Sequence, residues 1–236
     1  MKRSILLVLV YFLIQAMAGV VVMLFSSFND AITYTLLVAD AIMAGLLIYL
    51  GYLSDWKLWH PINFKMLFWT ILAGLSAIFC CDAISSLADF LPDLMEDTFA
   101  TIEDSWLGIL AIAVVGPILE EMLFRGAITK ELLKHYNPTL AILLSALIFG
   151  IFHINPAQIL TAFLLGLLLA WLYYKTRSLV PGILVHILNN SLSVYFTHTY
   201  PDAHNFAEIL GYLPYFFCLT FAILLLIFSV RMLKKI

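Results

Sequence analysis

Eight apolar runs, each close to the length that crosses a bilayer, dominate this chain: about 5–25, 31–53, 66–88, 106–127, 139–154, 157–174, 179–196 and 208–230. A helix needs about 20 apolar residues to span the hydrocarbon core. In lipid, backbone polar groups must be satisfied within helices or closed barrels. The runs are continuous rather than alternating, so they predict an all-α, polytopic membrane bundle of about eight transmembrane helices. Composition agrees. Of 236 residues, 64% are hydrophobic and 11% charged, against about 45–50% and 25% in soluble domains. No flexible linker, internal repeat or low-complexity segment interrupts the pattern, so a single integral membrane domain, 1–236, is expected.

Lys2, Arg3, the run Ile5–Ile14 and Ala16-Met17-Ala18 imitate a signal peptide. The run continues to Phe25, however, which fits an uncleaved first span. Placing the N-terminus inside puts all twelve Lys and Arg residues on inner segments, from Lys2 to Lys235. The outer connections then carry Asp93, Glu96, Asp97, Glu103, Asp104 and Asp202. Such asymmetry predicts cytoplasmic termini, and a short chain without appended domains or organelle signal suggests a bacterial cytoplasmic membrane. A net charge of −3 gives no footprint for nucleic acid. The longest outer link, 92–105, reads as an amphipathic surface helix or a lid. Cys80, Cys81 and Cys218 lie in apolar runs and suggest packing rather than disulfides or metal ligands. Gly74-Leu75-Ser76-Ala77 reads as a small-residue packing face.

Ionisable residues inside spans are the exceptions that need a reason. One charge at a helix centre costs about 2.5–3.5 kcal/mol on insertion scales, so each such group needs a partner or a use. Glu121 and Arg125, four residues apart, share a helix face and can pair. Glu120 points away and is left available as a general base. His153 ends an apolar helix before Ile154-Asn155-Pro156. His186 and Asn190 share a face at i,i+4, a pattern that also suits interhelical hydrogen bonding. Asp40, Asp82 and Asp89, in or near spans two and three, suit polar lining or helix ends as well as they suit a role. His60, His198 and His204 fall in connections.

Depth decides whether these groups can meet. From an inner start near 139, His153 lies about 21 Å along its helix, and from 179 His186 and Asn190 lie about 10 and 16 Å in. Glu120 reaches that level only if the fourth helix runs on past Arg125 to about Lys134, which would place it about 21 Å from the helix end.

The ordered set Glu120-Glu121-x-x-x-Arg125-Gly126, Phe149-x-x-x-His153 and His186-x-x-x-Asn190 resembles the CAAX protease and bacteriocin-processing (Abi) family of intramembrane proteases, related to the Ras-converting CAAX endopeptidase. The three motifs span Glu120 to Asn190, within a core of about 105–196. The resemblance implies an endopeptidase acting on a membrane-associated or lipidated protein or a leader peptide. In that scheme Glu120 activates water with help from His153, His186 and Asn190 stabilise the oxyanion, and Glu121 with Arg125 shapes the site. The chain lacks His-Glu-x-x-His and any third strong ligand in a recognised zinc spacing. A metal-free, glutamate-type reaction without cofactor is therefore preferred over a zinc-dependent one. Competing readings are a non-catalytic bacteriocin-immunity or regulatory protein, and a small transporter. Against the transporter, the sequence shows neither an inverted repeat nor paired broken helices.

Overall fold

The computed structural model describes residues 1–88 and 90–236, with side chains except at 28, 29 and 56; Asp89 lies outside the described residues. Among the described residues there are ten helices and no strand. They are α1 Lys2–Met23, α2 Phe28–Tyr49, α3 Phe64–Ser85, α4 Glu96–Glu103, α5 Trp106–His135, α6 Pro138–Phe152, α7 Pro156–Thr176, α8 Val180–Thr199, α9 Phe206–Leu210 and α10 Tyr212–Lys235. The eight long ones coincide with the eight apolar runs. Six are long and apolar enough to cross a membrane. α6, at 15 residues, is shorter, and α8 is diluted by His186, Asn189 and Asn190.

Short polar residues start these helices where the sequence places them. Ser27, Asn63 and Asn137 accept hydrogen bonds from the backbone N–H groups of Asp30, Met66 and Leu140, which satisfies donors that a helix start otherwise leaves free. Pro138 and Pro156 occupy first-turn positions, where the missing N–H does no harm. α7 stops at Arg177, which adopts a left-handed conformation at φ 56°.

α5 is the hub, in contact with α1, α2, α6, α7 and α8. α6 and α7 form the tightest neighbouring pair, while α10 packs on α3 at the periphery. Gly74 on α3 meets Val185 of α8, so the small-residue face does mediate close packing. The three cysteines are free thiols.

Contacts define two ends of the bundle. At one, Arg3 lies 3.6 Å from Glu131, Lys130 Nζ donates to the Tyr52 carbonyl, and Lys175 Nζ donates to the Lys234 carbonyl. Ser178 Oγ donates to the His60 carbonyl there, joining the α2–α3 and α7–α8 connections. At the other end, the acidic link 92–105 folds over the α6–α7 turn. The Asn155 side chain accepts from Leu94 N–H and donates to Asp93. α4 forms the helix of that link, and Glu103 pairs with His198 at 3.4 Å. Burial holds the Glu103 carboxyl above its ordinary value, with His198 opposing the shift.

The α6–α7 contact depends on Gly150. A Cβ there would come within 2.9 Å of the Ile159 carbonyl and 3.0 Å of Phe163 Cβ. Overpacking of this kind costs about 1–3 kcal/mol. Gly150→Val is expected to lower the thermal unfolding midpoint in detergent, whereas Gly45→Ala, whose Cβ would meet nothing within 4 Å, is expected to leave it unchanged. An unaltered midpoint in Gly150→Val would contradict this packing.

Candidate active site

α5 does continue past Arg125, as the depth argument requires, and reaches His135. It is not uniformly α-helical. Two stretches, Ala111–Val115 and Met122–Thr129, widen to π geometry, an arrangement often found at functional sites. Pro117 explains part of the first. Gly116 N–H bonds the Ala111 carbonyl five residues back. In that register the next donor would serve Ile112, but Pro117 has none. The Asn190 amide supplies it instead, at 2.8 Å from the Ile112 carbonyl. In the second stretch Thr129 Oγ1 donates to the Phe124 carbonyl at 2.8 Å and sits 2.6 Å from Ser145 of α6.

The ion pair is fully buried. Arg125 Nη1 donates to Glu121 Oε1 at 2.7 Å, and both side chains are 0% exposed. Arg125 Nη2 donates to the Gly166 carbonyl of α7 at 3.3 Å, and the guanidinium lies 4.4 Å from the Phe149 ring centre. Glu121 Oε1 also lies 3.1 Å from His186 Nδ1. A carboxylate oxygen that already holds Arg125 can only accept, so the imidazole proton sits on Nδ1. His186 Nε2 then faces Glu120, 3.7 Å from Oε2. The other Glu121 oxygen rests over Gly182, where a Cβ would come within 2.6 Å.

Glu120 is 23% exposed at its side chain, and its Oε2 is buried without a hydrogen-bond partner among the described residues. The structure therefore brings Glu120, Glu121, Arg125 and His186 into one network. It does not bond His153 to Glu120. His153 follows the last residue of α6, and its Nδ1 lies 2.8 Å from the Phe149 carbonyl. Its ring meets Phe149 edge-on at 4.9 Å, and Phe149 meets His186 edge-on at 5.6 Å. Asn190, one turn along α8 from His186, uses one amide proton on α5 and accepts from Asn189.

Sequence reasoning missed Gly182, Gly166 and the central part played by Phe149. Phe149 was already in the Phe-x-x-x-His motif, four residues before His153, but an apolar ring in an apolar helix carries no separate signal. Among the described residues, no three His, Cys, Asp or Glu side chains come together to hold a metal ion.

Removing one partner of a buried ion pair costs about 3–5 kcal/mol, because the other charge is left uncompensated. Arg125→Ala is therefore expected to abolish accumulation of folded protein. Glu121→Gln/Arg125→Met, which removes both charges, is expected to recover much of it. Fluorescence-detected size exclusion in detergent measures both.

Residues 102–192, which contain all six polar groups, match the family model described as Type II CAAX prenyl endopeptidase Rce1-like. The chain is 36% identical over 88 residues to YdiL, a membrane-peptidase candidate of Bacillus subtilis (strain 168), covering 37% of this chain and 36% of that protein. It is 31% identical over 101 residues to the membrane-embedded CAAX protease MroQ of Staphylococcus aureus (strain USA300), covering 40% and 41% respectively. The chain thus spans well under half the length of these curated relatives. No solved structure matches it. With its apolar helices the chain is a multi-pass membrane protein, and its segment 102–192 is similar to the CAAX prenyl endopeptidase domain.

Proposed function

We propose that this chain is an intramembrane endopeptidase whose base is Glu120. The observation that carries the reading is a buried carboxylate oxygen with no hydrogen-bond partner, facing an imidazole held by a second carboxylate. Glu120 takes a proton from water as the water oxygen attacks the scissile carbonyl carbon. The same proton passes to the leaving amine when the C–N bond breaks, which restores the carboxylate.

Negative charge develops on the carbonyl oxygen in between. His186 as the imidazolium, with Nδ1–H held by Glu121, offers Nε2–H as one donor for it. The second amide proton of Asn190 is another. His153 Nε2, left free by the contact of Nδ1 with Phe149, assists in placing the water. Glu121 and Arg125 hold His186 rather than react. The reaction proposed is a metal-free, glutamate-type one.

The resemblance supports, as substrate, a membrane-associated or lipidated protein or a leader peptide. The gathering of basic side chains at one end of the bundle supports cytoplasmic termini in a bacterial cell membrane. C-terminal fusions to a green fluorescent protein and to a periplasmic phosphatase test this. The first is expected to fluoresce and the second to be inactive; the opposite pattern would reverse the topology.

Glu120→Gln is expected to lower cleavage at least 100-fold, roughly the lower range for loss of a general base, while expression and thermal midpoint stay normal. Comparison of protein termini in membranes from cells carrying wild type or Glu120→Gln reads both activity and substrate. Undiminished cleavage by the variant would remove Glu120 from the mechanism.

A further inference from the structure

Glu120 has a further set of neighbours that the reaction above leaves unused. It lines a small cavity with Tyr11 of α1, Asp40, Met43 and Ala44 of α2, and Phe152. α1 and α2 lie outside the 102–192 segment that matches the family model. Asp40 is 2% exposed and is the one charged residue of α2 beyond its first turn. Its Oδ1 accepts from Tyr11 Oη at 2.8 Å, and Tyr11 Oη accepts from Gln15 Nε2 at 2.7 Å. Its Oδ2 is buried with no hydrogen-bond partner among the described residues, as is Glu120 Oε2.

A buried polar atom left unpaired costs about 1–3 kcal/mol, and more when it is charged. Here the two side chains that carry these acceptors line one cavity. Neither can donate to the other as a carboxylate, and Tyr11 already gives its only proton to Asp40. A water has two O–H donors, one for each. The cavity volume of about 10 Å³ is close to the minimum that admits a water.

We propose that Tyr11 and Asp40 are positioning residues that hold a water across this cavity against Glu120, fixing the carboxylate in the pose from which it acts as base. Tyr11 with Gln15 locks the Asp40 rotamer, Asp40 Oδ2 accepts one proton of the water, and Glu120 accepts the other. The remaining titratable and charged groups around Glu120 are His186 on α8, with Glu121 and Arg125 on α5. Glu121 and Arg125 are already bonded to each other. The role in catalysis rests on Glu120 being the base. The water bridge does not.

The test uses the purified full chain in lipid nanodiscs. Infrared spectra in H2(16)O and H2(18)O are expected to show an isotope-sensitive O–H band of a confined water. That band should vanish in Ala44→Leu, which fills the cavity and leaves every polar group in place, and shift in both Asp40→Asn and Glu120→Gln. The carboxamide oxygen introduced by Asp40→Asn would still accept from Tyr11, so the fold is retained. Turnover of a substrate identified from the terminus comparison is expected to fall roughly 10- to 100-fold in Asp40→Asn, as for a misplaced catalytic group, with KM unchanged.

Absence of the band in wild type, or its persistence in Ala44→Leu, overturns the bridge. The band together with full turnover in Asp40→Asn overturns the positioning role. Because the spectra need no substrate, loss of the bridge leaves the Glu120 reaction standing. Full cleavage by Glu120→Gln removes that reaction without touching the bridge.

Discussion

A single ion pair, Glu121 with Arg125, organises the centre of this bundle. Both side chains are wholly buried, and their oxygen and nitrogen meet at 2.7 Å. A charge of either sign at this depth is tolerated only with a partner. The pair then imposes demands on its neighbours. Arg125 recruits the Gly166 carbonyl and the Phe149 face, which fixes α7 and α6 against α5. Glu121 requires the bare backbone at Gly182 and takes up His186 Nδ1, which fixes α8. The electrostatic solution for one helix thereby sets the positions of three others.

The pair also determines what the adjacent residue can do. Consecutive helical side chains diverge by about 100°, so Glu121 turned toward α7 and α8 leaves Glu120 turned toward α1 and α2. His186 still reaches both carboxylates, because its two ring nitrogens face opposite ways. The widened turns of α5 serve the same end. They leave the Ile112 carbonyl to be completed from outside the helix, and Asn190 completes it. α8 is thus bound to α5 twice, once through an imidazole and once through an amide.

The eight apolar runs made the helices legible, because lipid forces every span to be a continuous helix of similar length. The Glu121–Arg125 pair was legible from i,i+4 spacing and from the penalty for isolated charge. The reach of α5 to His135 was legible only as a condition, since apolar periodicity ends near Arg125 while the backbone does not. The π segments left no trace, because α and π turns bury the same residue types. His153 appeared as a span residue at 139–154, but α6 ends at Phe152 and the histidine turns to the Phe149 carbonyl. Link 92–105 was ambiguous between surface helix and lid. α4 supplies the helix, and Asn155, in a turn whose Ile154 takes φ 59°, supplies the tether.

Asp40 was visible as an anomaly and could not be interpreted without coordinates, since nothing along the chain links residue 40 to residue 120. Its place in the fold changes how the matched segment is understood. Residues 102–192 supply both glutamates, both histidines, Arg125 and Asn190, while the α1–α2 side of Glu120 is lined by Tyr11, Asp40, Met43 and Ala44. Without those helices, Glu120 would face hydrocarbon on that side, where a carboxylate finds no donor and no ordered water. The motif-bearing helices carry the polar groups of the candidate site. The two helices before them complete the surroundings of Glu120 with Tyr11, Asp40 and Met43.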